Sequence, residues 1–196
     1  MDLAVKKYTR FPANSLIEHI NLFERVLKSG EFLQTIIHTL EKENKISIVE
    51  YRPKYARAFY ELNIEWLETF FYVEEYDREV LSNAEKYILG PGGHIFFAVE
   101  NDRALGTVAL MKEEDGVFEL TKMAVRPDQR GKQIGQKLMQ HCLDFARREQ
   151  FDKLFLYSNR KLENAIHIYR KFGFMEVKQE SEVPYKRSNI KMELEL

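Results

Sequence analysis

The 196-residue chain has a single cysteine, a single tryptophan, five prolines and nine glycines. One cysteine cannot close an intramolecular disulfide, and no Cys-x-x-Cys pair or Cys/His cluster offers a zinc site, so no metal is expected. No apolar run approaches the ~18 residues that a transmembrane helix needs. Met1 to Arg10 alternates charged and apolar residues and carries no signal-peptide core. Charge of one sign is also missing. Thirty basic and 31 acidic residues leave a net charge of −1, which argues against a general nucleic-acid binder. What is abundant is core material: 44% hydrophobic residues, with 14 Phe and 10 Tyr, which excludes a disordered chain. The expectation is a cytoplasmic globular protein that engages neither membrane nor nucleic acid.

The periodicity divides the chain at about residue 45. Ser15-Leu-Ile-Glu18 has capping-box spacing, and Leu16, Ile17, Ile20, Phe23, Val26 and Leu27 recur at helical intervals before Ser29-Gly30. Phe32, Leu33, Ile36, Ile37 and Leu40 form a second short amphipathic stretch. Residues 1–45 thus read as a two-helix extension that buries its stripes on its own domain or in a homodimer contact. From Ile46 the pattern alternates. Ile46 to Tyr51 reads as a strand, Tyr55 to Phe71 as a helix, and Asp77 to Leu89 as a second helix stopped by Gly90-Pro91-Gly92-Gly93. His94–Glu100, Leu105–Lys112 and Val117–Val125 make an antiparallel meander. A long helix from Gly131 to Arg148 follows. After it come a strand at Leu154–Tyr157, a helix at Leu162–Phe172, a strand from Phe174 and a last strand at Ile190–Leu196. This order predicts a mixed α/β domain over 46–196, with a mostly antiparallel sheet and helices on both faces.

Two stretches carry chemistry. In Met123-Ala-Val-Arg-Pro-Asp-Gln-Arg-Gly-Lys-Gln-Ile-Gly135 a strand ends, a short loop carries Arg130 and Gly131, and a helix opens. A helix N-terminus presents free N–H groups and a partial positive charge, which suits a phosphate. Lys122, Arg126, Arg130 and Lys132 against the lone Asp128 add local positive charge. Neither the dinucleotide fingerprint nor the P-loop pattern is matched. The second stretch, Ala165-Ile-His-Ile-Tyr-Arg-Lys-Phe-Gly-Phe174, is a helix ending in a glycine cap with Tyr169 inside it. Cys142, spaced with Leu138 and Phe145 on the long helix, reads as a core thiol. His141 and His167 read as packing or surface residues.

In this order and separation the two stretches resemble the GNAT superfamily of acetyl-CoA-dependent N-acetyltransferases. The resemblance spans about Ile46 to Leu196. It implies acetyl-CoA as co-substrate and a small-molecule or peptide amine as acceptor. The loop at Arg130, Gly131, Lys132, Gln133, Ile134 and Gly135 would wrap the pyrophosphate. The strand end at Met123, Ala124 and Val125 would pair with the pantetheine arm. Tyr169 would protonate the leaving thiolate, and Glu119, six residues before Val125, stands where many members place a general base. Two positions depart from the pattern. Gln133 replaces a glycine, and the expectation is that it lies inside the helix with its side chain turned away. Leu162 replaces an asparagine, for which Asn159 or Asn164 would substitute, Asn159 being favoured because it follows the strand end.

The resemblance implies that the region between the first two helices borders the acceptor pocket, and here it falls in the acidic segment 61–79, which holds seven carboxylates against Arg78 alone. Glu61, Glu65 and Glu68 at helical spacing read as a solvated face. Glu74, Glu75 and Asp77 fall in the expected loop and would draw a cationic amine, with Tyr185 and Arg187 closing the far side. The resembled reaction is direct attack of the amine on the thioester. Freeing a lysine-like amine of pKa ~10.4 at pH 7 costs ~4.6 kcal/mol, against ~2 kcal/mol to help a thiol of pKa ~8.5 leave. For such an acceptor the base matters more than the acid. The competing reading is a module that binds acetyl-CoA, or docks a partner, without turnover.

Overall fold

The computed structural model describes residues 13–28, 30, 34, 46–181 and 183–196. Chain contacts divide it into Met1–Lys45 and Ile46–Leu196. In the first unit, α1 spans Ala13–Lys28. It begins before Ser15, so that residue lies inside the helix instead of capping it. Ile17, Ile20, Leu22 and Phe23 of α1 are at least half exposed. The second expected helix, 32–40, lies outside the described residues apart from position 34.

The second unit is built on a seven-stranded sheet. Its elements are β1 (Ser47–Glu50), α2 (Ala56–Phe70), α3 (Glu75–Ser82), β2 (His94–Glu100), β3 (Arg103–Glu114), β4 (Val117–Val125), α4 (Ile134–Arg148), β5 (Lys153–Ser158), α5 (Glu163–Lys171), β6 (Met175–Val177) and β7 (Ile190–Glu195). The order across the sheet is β1-β2-β3-β4-β5-β7-β6. Every neighbouring pair is antiparallel except β4 and β5, which run parallel. Among the described residues the expected mixed α/β fold is therefore present. Its deviations lie at helix ends: the segment expected as one helix over 77–89 is α3 followed by a π-turn at Glu85–Leu89.

Helices cover both faces of the sheet, so the central strands are buried on both sides and read as continuous apolar runs. On one face Phe96, Leu110, Phe118 and Leu120 pack under Leu138, Cys142 and Phe145 of α4 and Ile166 of α5. On the other, Phe97, Ala109 and Met111 meet Phe59 and Leu62 of α2 and Val80 of α3. Each of the fully buried Phe and Leu side chains among these contributes roughly 1.5–3 kcal/mol. Gly106 fixes the seat of α4, because a Cβ there would lie 3.0 Å from the Ala124 carbonyl and 3.2 Å from side-chain atoms of Ile134 and Leu138. Cys142 is fully buried and its thiol is pushed up by burial, so it is a core residue and not a nucleophile.

Two irregularities of β4 shape the site. Thr107 pairs with Ala124 and Ala109 with Thr121, so Val108 alone opposes both Lys122 and Met123. This is a β-bulge, and Lys122 at its centre takes φ +50°. The second is the short parallel pairing. It joins Val117, Phe118 and Glu119 to Lys153, Leu154 and Phe155 and goes no further. Beyond Glu119 the two strands part, and the β5-facing edge of β4 is left without a strand partner.

Candidate active site

An open cleft occupies this parting. Met123 of β4, Ser158 and Asn159 at the end of β5, and Leu162 and Tyr169 of the α5 region line one part of it. Asn63, Trp66 and Leu67 of α2, Phe71, Asp77, Tyr185 and Arg187 line the other. The cleft therefore joins the α5 side of the sheet to the α2/α3 side.

The loop before α4 suits a phosphate through its backbone. Gly131 takes φ +81°, and a Cβ there would meet nothing within 4 Å, so the loop is open where a ligand would approach. The helix begins at Ile134, three residues later than expected, and Gln133 is its N-cap. Gln133 sits at φ +60°, which explains why a glycine suits this position and corrects the expectation that it is already helical. It makes no side-chain cap, and the first turn of α4 carries no acid, so the leading amides have no side-chain acceptor of their own. Lys137 N–H, bonded to the Gln133 carbonyl, starts the helical ladder.

The basic side chains of this stretch contribute less than their number suggests. Lys122 turns away to Asp77, Arg126 pairs with Asp128, and Arg130 pairs with Glu65 of α2 and stacks over Phe70. Lys132, bonded to the Gln129 side chain, is the one of the four with no ion pair among the described residues. These residues fit a coenzyme A pyrophosphate through first-turn amides and Lys132, with the unpaired edge of β4 at Met123 to Val125 left for an extended amide-bearing arm.

Tyr169 of α5 is half-buried against Phe174 and reaches the cleft. Burial raises its phenol to about 12, a hydrogen bond from Ser158 partly opposing the rise, so it holds its proton at neutral pH. Asn159 lines the cleft, but its side chain already has protein partners. Its Nδ2 donates to the Arg187 carbonyl at 2.6 Å, and its Oδ1 accepts the Lys161 N–H at 2.9 Å. It therefore serves the turn more than it substitutes for the missing asparagine, and Asn164 is exposed on α5.

Across the cleft the sequence expectations change most. Glu74 is the N-cap of α3, in a capping box with Asp77, so the expected loop is helix. Asp77 is fully buried, 2.9 Å from the Lys122 ammonium and 2.6 Å from the Arg187 guanidinium. Burial works against its charge, yet Lys122 and Arg187 hold its carboxyl below the ordinary value. Arg187 also binds Glu74 at 2.9 Å. Glu74 and Asp77 are thus engaged with cations and are not free to draw a cationic substrate. Glu75 is exposed in the first turn of α3. No sequence signal joins Asp77 to Lys122, 45 positions apart; the bulge makes the pair. The aromatic wall of Trp66 and Phe71 was legible only as helix core.

Glu119 is 2% exposed and does not line the cleft. Two residues that do line it, Thr121 and Tyr185, flank Glu119, the Tyr185 hydroxyl lying 3.4 Å from Glu119 Oε2 and 3.3 Å from Thr121 Oγ1. Burial raises the Glu119 carboxyl to about 7, while Lys122, Thr121 and Tyr185 pull it down and Glu113 adds to the rise.

A sheet parted at β4 and β5, an open glycine turn ahead of a helix whose leading amides have no side-chain cap, and Tyr169 and Tyr185 lining one cleft together suit a phosphate-bearing thioester and its acceptor. The acetyltransferase (GNAT) family model matches residues 57–174, and the chain belongs to that family. It is 31% identical over 112 residues to the probable N-acetyltransferase camello of Xenopus laevis, covering 56% of this chain and 51% of that one. It is 32% identical over 102 residues to the N-acetylaspartate synthetase of Xenopus tropicalis, covering 51% of this chain and 38% of that one. The matches thus span about half or less of these relatives. Among solved structures, a GNAT-family acetyltransferase from Staphylococcus aureus Mu50 superposes with a TM-score of 0.70 at 25% identity, over 77% of this chain and 99% of that one. The PaiA N-acetyltransferase of Thermoplasma acidophilum, solved with coenzyme A, superposes with a TM-score of 0.62 at 18% identity, over 78% and 99%. Among the described residues no helix is long and apolar enough to cross a membrane.

Proposed function

We propose that the chain transfers an acetyl group from acetyl-CoA to an amine by direct attack, both substrates being bound together. The cleft between β4 and β5 carries this reading, because Tyr169 and Tyr185 both line it and the Tyr185 hydroxyl lies within 3.4 Å of Glu119. Gly131, Gln133, Ile134, Gly135 and Lys132 hold the pyrophosphate, and Met123, Ala124 and Val125 present backbone groups to the pantetheine arm. Bound acetyl-CoA supplies the activated acetyl thioester. Tyr169 gives its proton to the departing sulfur.

Glu119 takes a proton from the incoming ammonium. A transfer from a lysine-like amine to an ordinary glutamate costs roughly 8 kcal/mol. With the carboxyl raised to about 7 the difference falls to roughly 5 kcal/mol. Burial of Glu119 therefore makes it a better proton acceptor while leaving it ionised in about half the molecules at neutral pH.

The acceptor is an amine with an apolar or aromatic body. Trp66, Leu67, Phe71, Tyr157 and Tyr185 wall its side of the cleft, while the nearby carboxylates of Glu74 and Asp77 already have cationic partners. Free-thiol release from acetyl-CoA over benzylamine, spermidine, lysine, aspartate and an alanyl peptide tests the reading. Turnover greatest with benzylamine is expected. Coenzyme A binding without thiol release from any of them would leave a binding module in its place.

A further inference from the structure

We propose that the Tyr185 hydroxyl is the group that touches the acceptor nitrogen and relays its proton to Glu119. The inference rests on the acetyl-transfer reading and adds a catalytic residue to it. Three observations carry it. Tyr185 lines the cleft and Glu119 does not. Two hydroxyls of cleft-lining residues lie next to Glu119, those of Tyr185 and Thr121, 3.3 Å apart, and the longer Tyr185 side chain, on a different segment from Glu119, is the one with reach to a ligand. The Tyr185 ring is held from several directions: the Tyr76 ring centroid of α3 lies 5.8 Å away and that of Tyr157 of β5 6.1 Å away, with the Lys122 ammonium 4.7 Å from its own centroid. A ring clamped in this way aims its hydroxyl at one place.

Protons balance as follows. The ammonium N–H donates to the Tyr185 oxygen as the Tyr185 O–H donates to the Glu119 carboxylate, so no free phenolate forms. The lone pair released on nitrogen attacks the acetyl carbon; the C–N bond forms and the C–S bond breaks. The sulfur takes the Tyr169 proton, and the second nitrogen proton returns to Tyr169. Glu119 then loses its proton to solvent back through Tyr185, so one proton is released per acetyl group transferred. The 3.4 Å separation of Tyr185 and Glu119 is long for a hydroxyl–carboxylate bond, and bonds of this kind shorten when substrate fills a site.

The charged and titratable groups facing the pair are Glu113 of β3, Lys122 of β4, Tyr76 and Asp77 of α3, Tyr157 of β5, and Arg187 beside Tyr185. Burial, and Glu119 beside it, push the Tyr185 phenol well above its ordinary value, so the hydroxyl is present as a donor across the working range.

The test compares the wild type, Tyr185→Phe, Glu119→Gln and the double variant in thiol release from acetyl-CoA with the amines named above, between pH 5.5 and 9.5. Tyr185→Phe keeps the ring and its packing. It is expected to lower kcat/KM roughly ten- to a hundredfold near pH 7 and to erase the limb that rises through about pH 7. Glu119→Gln reads the same limb from the other end, so the relay remains testable should the phenylalanine variant not fold. The double variant should be no slower than the slower single, and the melting-temperature rise with coenzyme A should be unchanged in all three. A wild-type pH profile in Tyr185→Phe, a limb that survives in Glu119→Gln, or losses that multiply in the double variant would overturn the relay while leaving acetyl transfer standing. A wild-type protein that releases no thiol with any of the amines would overturn the acetyl-transfer reading, and the relay with it.

Discussion

Asp77 of α3 and Lys122 of the β4 bulge form an ion pair at 2.9 Å, with 0% and 4% of their side chains exposed. The pair ties a helix that covers the acceptor side of the cleft to the strand that would hold the cofactor. Burial pulls the Lys122 ammonium below its ordinary value against the attraction of Asp77, so neither charge is indifferent to losing the other. Arg187 is a second cation on Asp77, and this makes the two partners unequal.

Removing the shared anion should accordingly do more damage than removing one cation. Asp77→Asn leaves Lys122 buried with only the partly protonated Glu119 near it, and is expected to cost about 3 kcal/mol, the low end for breaking a buried pair. Lys122→Met leaves Asp77 with Arg187 and should cost clearly less. Urea denaturation of both variants and of the double variant measures the difference, and the double variant should be less destabilised than the sum of the singles.

The contribution of Glu119 to stability should fall as pH rises across its transition, against the opposite slope of the half-buried His94 and His141, whose imidazoles burial holds below the ordinary value. A carboxyl raised from 4.5 to about 7 by folding binds more protons in the native state than in the unfolded state between those values. The native state is therefore penalised progressively as pH climbs through that window, by up to about 3 kcal/mol above it. Below pH 4.5 both states are protonated and the effect is absent. Glu119→Gln should remove this slope, read from denaturation midpoints between pH 5 and 8.

Tyr169→Phe deletes one hydroxyl and little volume. A roughly ten- to hundredfold loss in kcat is expected, at or below the usual range for an acid–base group, because a thiolate leaves fairly well unaided. Coenzyme A affinity should change little. An undiminished kcat would remove Tyr169 from the acid role.

The loop before α4 can be tested without any acceptor. Coenzyme A at a hundred times its Kd should stabilise the wild type by ~2.7 kcal/mol, seen as a higher melting temperature. Gly131→Asp places a side chain at φ +81° and a negative charge in the open face of the turn, and should abolish the shift. Lys132→Ala should weaken binding modestly and reduce its salt dependence, since Lys122, Arg126 and Arg130 are already paired with acids.

Much of the fold was legible because its signals are local. The turn at Glu114-Asp115-Gly116, the apolar run of β2 and the glycine after α5 each act within a few residues, and the meander and α5 fell where those signals put them, while α4 opened three residues late. The Gly131 turn was visible for the same reason, whereas Tyr169 stood out only through the family resemblance. Helix ends were less so, since α3 starts on a capping box between Glu74 and Asp77 that the charge pattern disguised as a loop.

The sequence by itself determined which strands and helices form and which residue types surround the turn before α4. It could not determine which face of β4 each side chain takes. Strict alternation from Phe118 would place Lys122 with Leu120 against the apolar underside of α4. The extra residue at the bulge resets the alternation, so Thr121 and Lys122 both face α3 while Met123 returns to the α4 side. Only the tertiary structure decides this, because the bulge is a mismatch between two strands. It delivers Lys122 to Asp77, so that a carboxylate counted along the chain as free negative charge is buried between two cations in the fold.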